Sequence, residues 1–135
     1  MESDTREINE KLIKEGGLPG QIIKNQRQIE AINKELSSLK RSREQEIYLF
    51  QKFSDQQAYQ YIENKYNALQ KNKTANIGIL PQEKNPLVEF YFKNLYMVEY
   101  GNKSILYSEA VENYNKEIDN LVKKNTNLKQ DLRKL

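Results

Sequence analysis

The chain has 135 residues, of which 37% are hydrophobic and 30% are charged, and its formal net charge is only +3. A compact domain of this size is usually about half apolar, whereas long helices that bury a narrow seam need fewer apolar residues. The near balance of 22 basic and 19 acidic residues is typical of solvated helix faces and does not favour a polyanion-binding surface. We therefore expect a single, elongated, all-α domain.

Histidine and cysteine are both absent from the sequence. The commonest general base, the thiol nucleophile and the usual zinc ligands are therefore missing. Carboxylate pairs such as Glu109 with Glu112 are predicted to lie on solvated helix faces rather than in a catalytic site. We predict no enzymatic activity, no catalytic or metal-binding residues, no cofactor and no small-molecule substrate.

The hydropathy pattern bears on location. No run of 18 apolar residues occurs, so we expect no transmembrane helix. The chain begins Met1-Glu2-Ser3-Asp4, which lacks the apolar segment of a secretory signal peptide. The expected location is cytoplasmic, with a virion location or signal-less export left open.

The first 20 residues are predicted to form a short helix and a turn. Asp4 and Glu7 have the spacing of a capping box, which predicts a helix over residues 3–15. The run Gly16-Gly17-Leu18-Pro19-Gly20 is predicted to end that helix in a turn. No Gly-Lys-Ser/Thr follows it, so a phosphate-binding loop is not favoured.

Residues 21–73 contain neither glycine nor proline, which predicts one long helix of roughly 80 Å. Apolar residues recur there at alternating steps of three and four, as in the seam of a coiled coil. Asn25 interrupts this seam, and such polar residues usually set register or partner number. The pattern slips at Arg43 and Glu46, which indicates a local discontinuity in the supercoil. The predicted seam residues are Ile22, Ile29, Ile32, Leu36 and Leu39.

Residues 74–86 contain two prolines and a glycine and are predicted to form a loop, with Pro86 in the first turn of the next helix. Residues 87–135 form the second arm, of similar length to the first, and Asn125 lies in its seam. Matched arms predict an antiparallel helical hairpin, although the pattern does not decide whether the seams pair within one chain or between chains. The predicted seam residues of this arm are Val111, Tyr114, Ile118, Leu121, Leu128 and Leu132.

Residues 87–107 fit two structures. Helical spacing of the apolar residues favours a helix with a kink near Gly101. The alternative is a β-hairpin over residues 96–107, because Gly101-Asn102 is a two-residue turn signal between two apolar runs. The hairpin would set Val98 opposite Ile105 and Tyr96 opposite Tyr107.

Most residues from 87 to 100 are apolar or aromatic. Two helices cannot surround so many large side chains, and exposed patches of this kind mark interfaces. Aromatic side chains also dominate binding hot spots. We therefore predict a protein partner or a homo-oligomer, bound through Phe90, Tyr91, Phe92, Leu95, Tyr96 and Tyr100.

The function predicted from these patterns is protein–protein interaction, as an adaptor, assembly factor or small chaperone. Helical hairpins interrupted in the middle occur in prefoldin-type chaperones, in partner proteins of secreted toxins and in phage or organelle assembly factors, but no motif here assigns a family. The alternative is a basic coiled coil that contacts nucleic acid. Acidic residues interrupt both of its basic stretches, which are Lys34, Lys40, Arg41 and Arg43, and Lys123, Lys124, Lys129, Arg133 and Lys134.

Overall fold

A computed structural model of the chain describes Ile8, Lys11 and residues 17–71 and 77–134. The described residues are predominantly helical, with one two-stranded antiparallel sheet, so the fold is all-α as predicted. The helix predicted over residues 3–15 lies outside the described residues apart from Ile8 and Lys11. The elements in chain order are α1 (Gly17–Lys52), α2 (Asp55–Lys71), α3 (Lys84–Phe90), a π-helix (Tyr91–Leu95), β1 (Met97–Tyr100), β2 (Lys103–Leu106) and α4 (Tyr107–Lys134).

The chain divides into two compact units. The first, called here the helix-pair unit, consists of Met1–Ser37 and Asn113–Leu135. The second, called the aromatic unit, is Ser38–Glu112. None of the helices in the described ranges is long and apolar enough to cross a membrane.

In the helix-pair unit, α1 and α4 run antiparallel within one chain. Asn25 donates a hydrogen bond from Nδ2 to Oδ1 of Asn125 at 2.9 Å, and Asn125 donates to the Ile22 carbonyl at 3.3 Å. Asn125 is only 5% exposed, so the two polar residues of the predicted seams meet each other. Around them Ile22 is buried, Leu132 is exposed, and Ile29, Ile32, Leu36, Tyr114, Ile118, Leu121 and Leu128 are half-buried.

Helix α1 begins earlier than the sequence predicted. The turn expected at residues 16–20 is wrong for residues 17–20, which form the first turn of α1. Gly17 has φ 79°, a value that L-residues rarely adopt, and it marks the boundary. Pro19 fits just inside this boundary because the first turn of a helix does not need its missing N–H.

The single helix predicted over residues 21–73 is also wrong, because α1 ends at Lys52 and α2 begins at Asp55. Ser54 and Gln57 form a capping box: the Ser54 N–H donates to Gln57 Oε1 at 2.9 Å, and the Gln57 N–H donates to Ser54 Oγ at 3.2 Å. Lys84 donates to the Phe53 carbonyl, one of the acceptors left free where α1 ends. The capping box therefore starts a new helix, although no glycine or proline interrupts residues 21–73.

The predicted loop is non-helical from Ile77 to Glu83, and Pro86 lies in the first turn of α3 as expected. Tyr66 of α2 holds the start of this segment, since its hydroxyl lies 3.2 Å from the Ile77 carbonyl oxygen and 3.1 Å from that of Gly78. The loop is thus attached to the helix that precedes it.

Helix α3 continues into the π-helix, and the chain then turns into the hairpin. The Tyr96 N–H donates to the Tyr91 carbonyl at 2.7 Å, which is the i to i+5 bond of a π-turn. This wider turn brings Tyr91, Phe92, Leu95 and Tyr96 to the buried side together.

The favoured helix over residues 97–106 is wrong, and the β-hairpin alternative is confirmed. Val98 pairs with Ile105, and the Tyr107 N–H donates to the Tyr96 carbonyl at 3.0 Å, in the register that the turn signal predicted. Gly101 has φ 62° at the two-residue turn. A turn that demands positive φ therefore outweighs the helical spacing of the flanking apolar residues.

Candidate protein-interaction groove beside an aromatic core

The aromatic unit is built around Phe50, which is 1% exposed. Its ring centroid lies 5.1–5.9 Å from four other rings, with interplanar angles of 66–88°. Such edge-to-face contacts add to the free energy of burial. Phe50 itself belongs to α1, and its four neighbours are Phe53 just after α1, Tyr61 of α2, and Tyr91 and Phe92 of the π-helix.

The sequence predicted that six residues of this region form an exposed patch. That exposure is wrong for four of them, since Tyr91, Phe92, Leu95 and Tyr96 are buried in the aromatic unit. Phe90 and Tyr100 are half-buried. The physical reason is that the broken helix supplies α2, and the hairpin supplies a cover, so more than two helices surround the aromatic side chains.

A polar network reaches the buried hydroxyl of Tyr91. This hydroxyl donates to Glu46 Oε2 at 3.1 Å and accepts from Lys65 Nζ at 3.0 Å. Burial raises the pKa of Tyr91 above its ordinary value of 10.0, and the Glu46 carboxylate raises it further. Both partners are half-buried, and together they satisfy the hydrogen bonding of the buried Tyr91 hydroxyl.

This raised pKa predicts a steeper loss of stability at alkaline pH. Above about pH 10, tyrosines in the unfolded chain lose their proton while Tyr91 in the folded chain keeps it. The folded state then binds more protons, so its stability is fully present below that pH and is lost as pH rises. We expect Tyr91→Phe to lower the free energy of unfolding by about 1 kcal/mol at neutral pH and to make the alkaline slope shallower by about 1.4 kcal/mol per pH unit.

Urea denaturation followed by circular dichroism at a series of pH values would measure this slope. The matched control is Tyr48→Phe, which removes a hydroxyl from a side chain that is 59% exposed. An alkaline slope in Tyr91→Phe equal to that of the unchanged chain would contradict the prediction.

Arg43, one of the two charges at which the seam slips, lies against aromatic rings. Its guanidinium carbon is 5.4 Å from the centroid of Phe92 and 5.3 Å from that of Tyr107, within cation–π range of both. Its Nε atom is buried and has no hydrogen-bond partner among the described residues. Together with Glu46, which accepts from Tyr91, Arg43 shows why charged residues occupy positions where the seam pattern calls for apolar ones.

An open groove of about 670 Å³ lies on the surface of the aromatic unit beside this arginine. Its floor and walls come from α1, α3, the π-helix and the first turns of α4. The apolar lining residues are Ile47, Val88, Phe92, Tyr107 and Val111. The polar ones are Arg43, Glu89, Lys93 and Ser108. Ser108, Glu89 and Lys93 are exposed, so a partner can reach the groove.

Two smaller grooves, of about 430 and 480 Å³, run along the helix-pair unit. The larger of the two is lined by glutamine, asparagine and lysine apart from Leu128. The smaller has three apolar lining residues, Ala31, Ile32 and Leu121, against five in the groove of the aromatic unit. Association in water is driven chiefly by apolar area. The groove of the aromatic unit is therefore the better candidate for binding.

The groove residues were only partly accessible to sequence reasoning. The sequence identified Arg43 as an interruption of the seam and as part of a basic stretch. It identified Val111 as a seam residue. Nothing in the periodicity places these two residues beside Val88 and Lys93, because that proximity depends on the helix break at Ser54 and on the hairpin. The signals that could have shown this are the Ser54-Asp55-Gln56-Gln57 capping box and the Gly101-Asn102 turn.

The basic stretches do not gather around this groove. Arg43 is half-buried against the aromatic rings, while the remaining members, Lys34, Lys40, Arg41, Lys123, Lys124, Lys129, Arg133 and Lys134, are exposed. Within the part of the chain that the structure describes, no group of acidic residues is arranged to hold a metal ion.

No family model, curated protein or solved structure matches this chain.

Proposed function

We propose that this chain is a non-enzymatic protein–protein interaction module, acting as an adaptor, assembly factor or small chaperone, and that it binds its partner in the groove of the aromatic unit. The observation that supports this proposal is an accessible groove with apolar walls beside a core that is already closed. Of the residues predicted as anchors, Phe92 lines the groove, and the others support the binding surface without forming part of it.

The framing of the groove suits a peptide segment. Its lining comes from four helical elements, and an apolar groove between helices accepts the apolar face of a helix or an extended strand of a partner. Tyrosine and arginine, which are enriched in binding hot spots, are both present as Tyr107 and Arg43. Phe92 is held by ring contacts to Phe50 and Tyr91 at 5.9 and 4.9 Å. A lining fixed in this way loses little entropy on binding.

Substitution of Val111 with glutamate tests the proposal. Val111 lines the groove, so a carboxylate there leaves a charge against the apolar surface of the partner. We expect the bound protein to fall at least tenfold. The measurement is affinity capture by the full tagged chain from a lysate of the source organism, quantified by mass spectrometry, together with light scattering for self-association.

The matched control is Val122→Glu, a change of the same residue type on the same helix, at a side chain that is 48% exposed and does not line the groove. A second variant, Ser108→Trp, fills the groove from an exposed position and so removes no packing contact. If both groove variants stay folded and retain the proteins captured by the Val122→Glu control, the groove is not the binding surface.

A further inference from the structure

The guanidinium of Arg43 is the positive charge around which the groove is built. A guanidinium stays protonated at all ordinary pH values. Its carbon lies within 5.4 Å of the Phe92 and Tyr107 ring centroids, and both rings line the groove. Cation–π contact with two rings holds the guanidinium at the groove. Part of its hydration is already lost, because Nε is buried without a partner among the described residues.

The remaining charges of the lining leave a small positive excess. Lys93 adds a positive charge at the exposed rim, and Glu89 adds a negative one. Ser108 lies in the first turn of α4, where the helix dipole adds positive potential. Glu109 belongs to the same turn, but it does not line the groove. The surface is therefore complementary to about one negative charge.

The excess of about one positive charge in the lining favours a carboxylate over a phosphate group. A phosphate group carries close to two negative charges at neutral pH, and the Glu89 carboxylate in the lining would repel it. A carboxylate carries one charge, and its two oxygens match the planar fork of a guanidinium in a bidentate pair. The neighbouring Ile47, Val88 and Val111 offer apolar surface for the residue beside it.

We propose that the groove recognises a partner segment in which an aspartate or glutamate stands next to a large apolar residue, and that Arg43 pairs with the carboxylate. This inference rests on the proposed function and specifies its partner. Arg43 acts here as a specificity-determining residue, while the apolar walls hold the adjoining side chain. Burial of the pair against Phe92 and Tyr107 protects it from screening by salt better than an exposed pair.

A displayed library of random 16-residue peptides, selected on the immobilised full chain, tests this. Enriched peptides are expected to contain an acidic residue directly next to a leucine, isoleucine, valine or phenylalanine more often than the unselected library does. Fluorescence polarisation with a synthetic enriched peptide should show binding at least tenfold weaker to Arg43→Gln. It should also be at least tenfold weaker for the same peptide with its acidic residue changed to the amide. Arg43→Gln combined with the amide peptide should lower the affinity little more than either change alone, because both changes remove the same ion pair.

Three further variants separate this inference from the proposed function. Lys93→Gln, at an exposed rim position, should lower the affinity for the acidic peptide two- to threefold without affecting folding. Val122→Glu should leave its affinity unchanged. Loss of binding in Val111→Glu with full binding in Arg43→Gln would keep the groove as the interface and overturn the role of the carboxylate. Failure to enrich peptides with an acidic residue, or equal affinity for the acid and amide peptides, would also overturn it.

Discussion

Replacement of Phe50 by alanine is expected to lower the free energy of unfolding by about 3–5 kcal/mol, the usual cost of removing a buried phenylalanine. The Phe50 side chain of α1 is 1% exposed, and its ring contacts one ring from α2, two from the π-helix and that of Phe53, which follows α1. Because those elements meet at this ring, the cavity cannot close without moving all of them. Urea denaturation followed by circular dichroism, with intrinsic tyrosine fluorescence as a second probe, would measure the change.

Tyr48 provides the matched control, since it is an aromatic residue of the same helix only two positions away and is 59% exposed. Its ring centroid lies 4.5 Å from Lys52 Nζ, a cation–π contact worth about 0.5–1 kcal/mol at an exposed site. Tyr48→Ala should therefore cost no more than about 1 kcal/mol. If Phe50→Ala and Tyr48→Ala lowered the free energy of unfolding by similar amounts, Phe50 would not be the centre of the core.

This difference between Phe50 and Tyr48 illustrates what periodicity could predict. The alternating three- and four-residue steps identified the faces of α1 and α4 that meet and placed Asn25 and Asn125 in their seams. That these two residues pair with each other is a finding of the structure. Seam spacing is a local property of a helix, and it survives whatever the rest of the chain does. The hairpin was the alternative to the favoured helix, but its register was predicted correctly, because a two-residue turn fixes which residues pair.

The aromatic unit was not predictable in the same way. Its burial depends on α2 folding back after Ser54 and on the π-turn that brings Leu95 and Tyr96 to the buried side. Each event is decided by a few hydrogen bonds, and neither leaves a period in the sequence. A dense run of aromatic residues therefore looks like an exposed surface when the number of covering elements is underestimated.

The contacts of Arg43 and Glu46 explain why the seam pattern is interrupted at these two residues. Along residues 22–39 the seam positions of α1 are filled by apolar residues apart from Asn25, whereas these two carry charge. Glu46 accepts the hydrogen bond of Tyr91, and Arg43 lies against Phe92 and Tyr107. Apolar residues at these positions would leave the Tyr91 hydroxyl without its acceptor and the groove without its charge. The break in the coiled-coil pattern therefore marks the part of α1 that contacts the aromatic rings of the π-helix and of Tyr107.

The second large effect is expected at the Asn25–Asn125 pair. Replacement of Asn25 alone by leucine should lower the free energy of unfolding by about 1–3 kcal/mol, since it leaves the buried Oδ1 of Asn125 without its donor. Replacement of both residues by leucine removes the unsatisfied group and adds apolar burial. The double variant should therefore be at least as stable as the unchanged chain, which gives a coupling energy of at least about 1 kcal/mol in a double-mutant cycle.

Specificity should change in the opposite direction to stability. A polar pair in an apolar seam penalises every register in which the two amides do not meet, and leucine imposes no such penalty. Light scattering after size-exclusion chromatography should then show additional oligomeric species for the double variant. The control is Asn115→Leu, an exposed position of α4, which should change neither the stability by more than about 0.5 kcal/mol nor the number of species. A double variant that is less stable than either single one, or that keeps the elution profile of the unchanged chain, would show that the amide pair does not select the register of the helices.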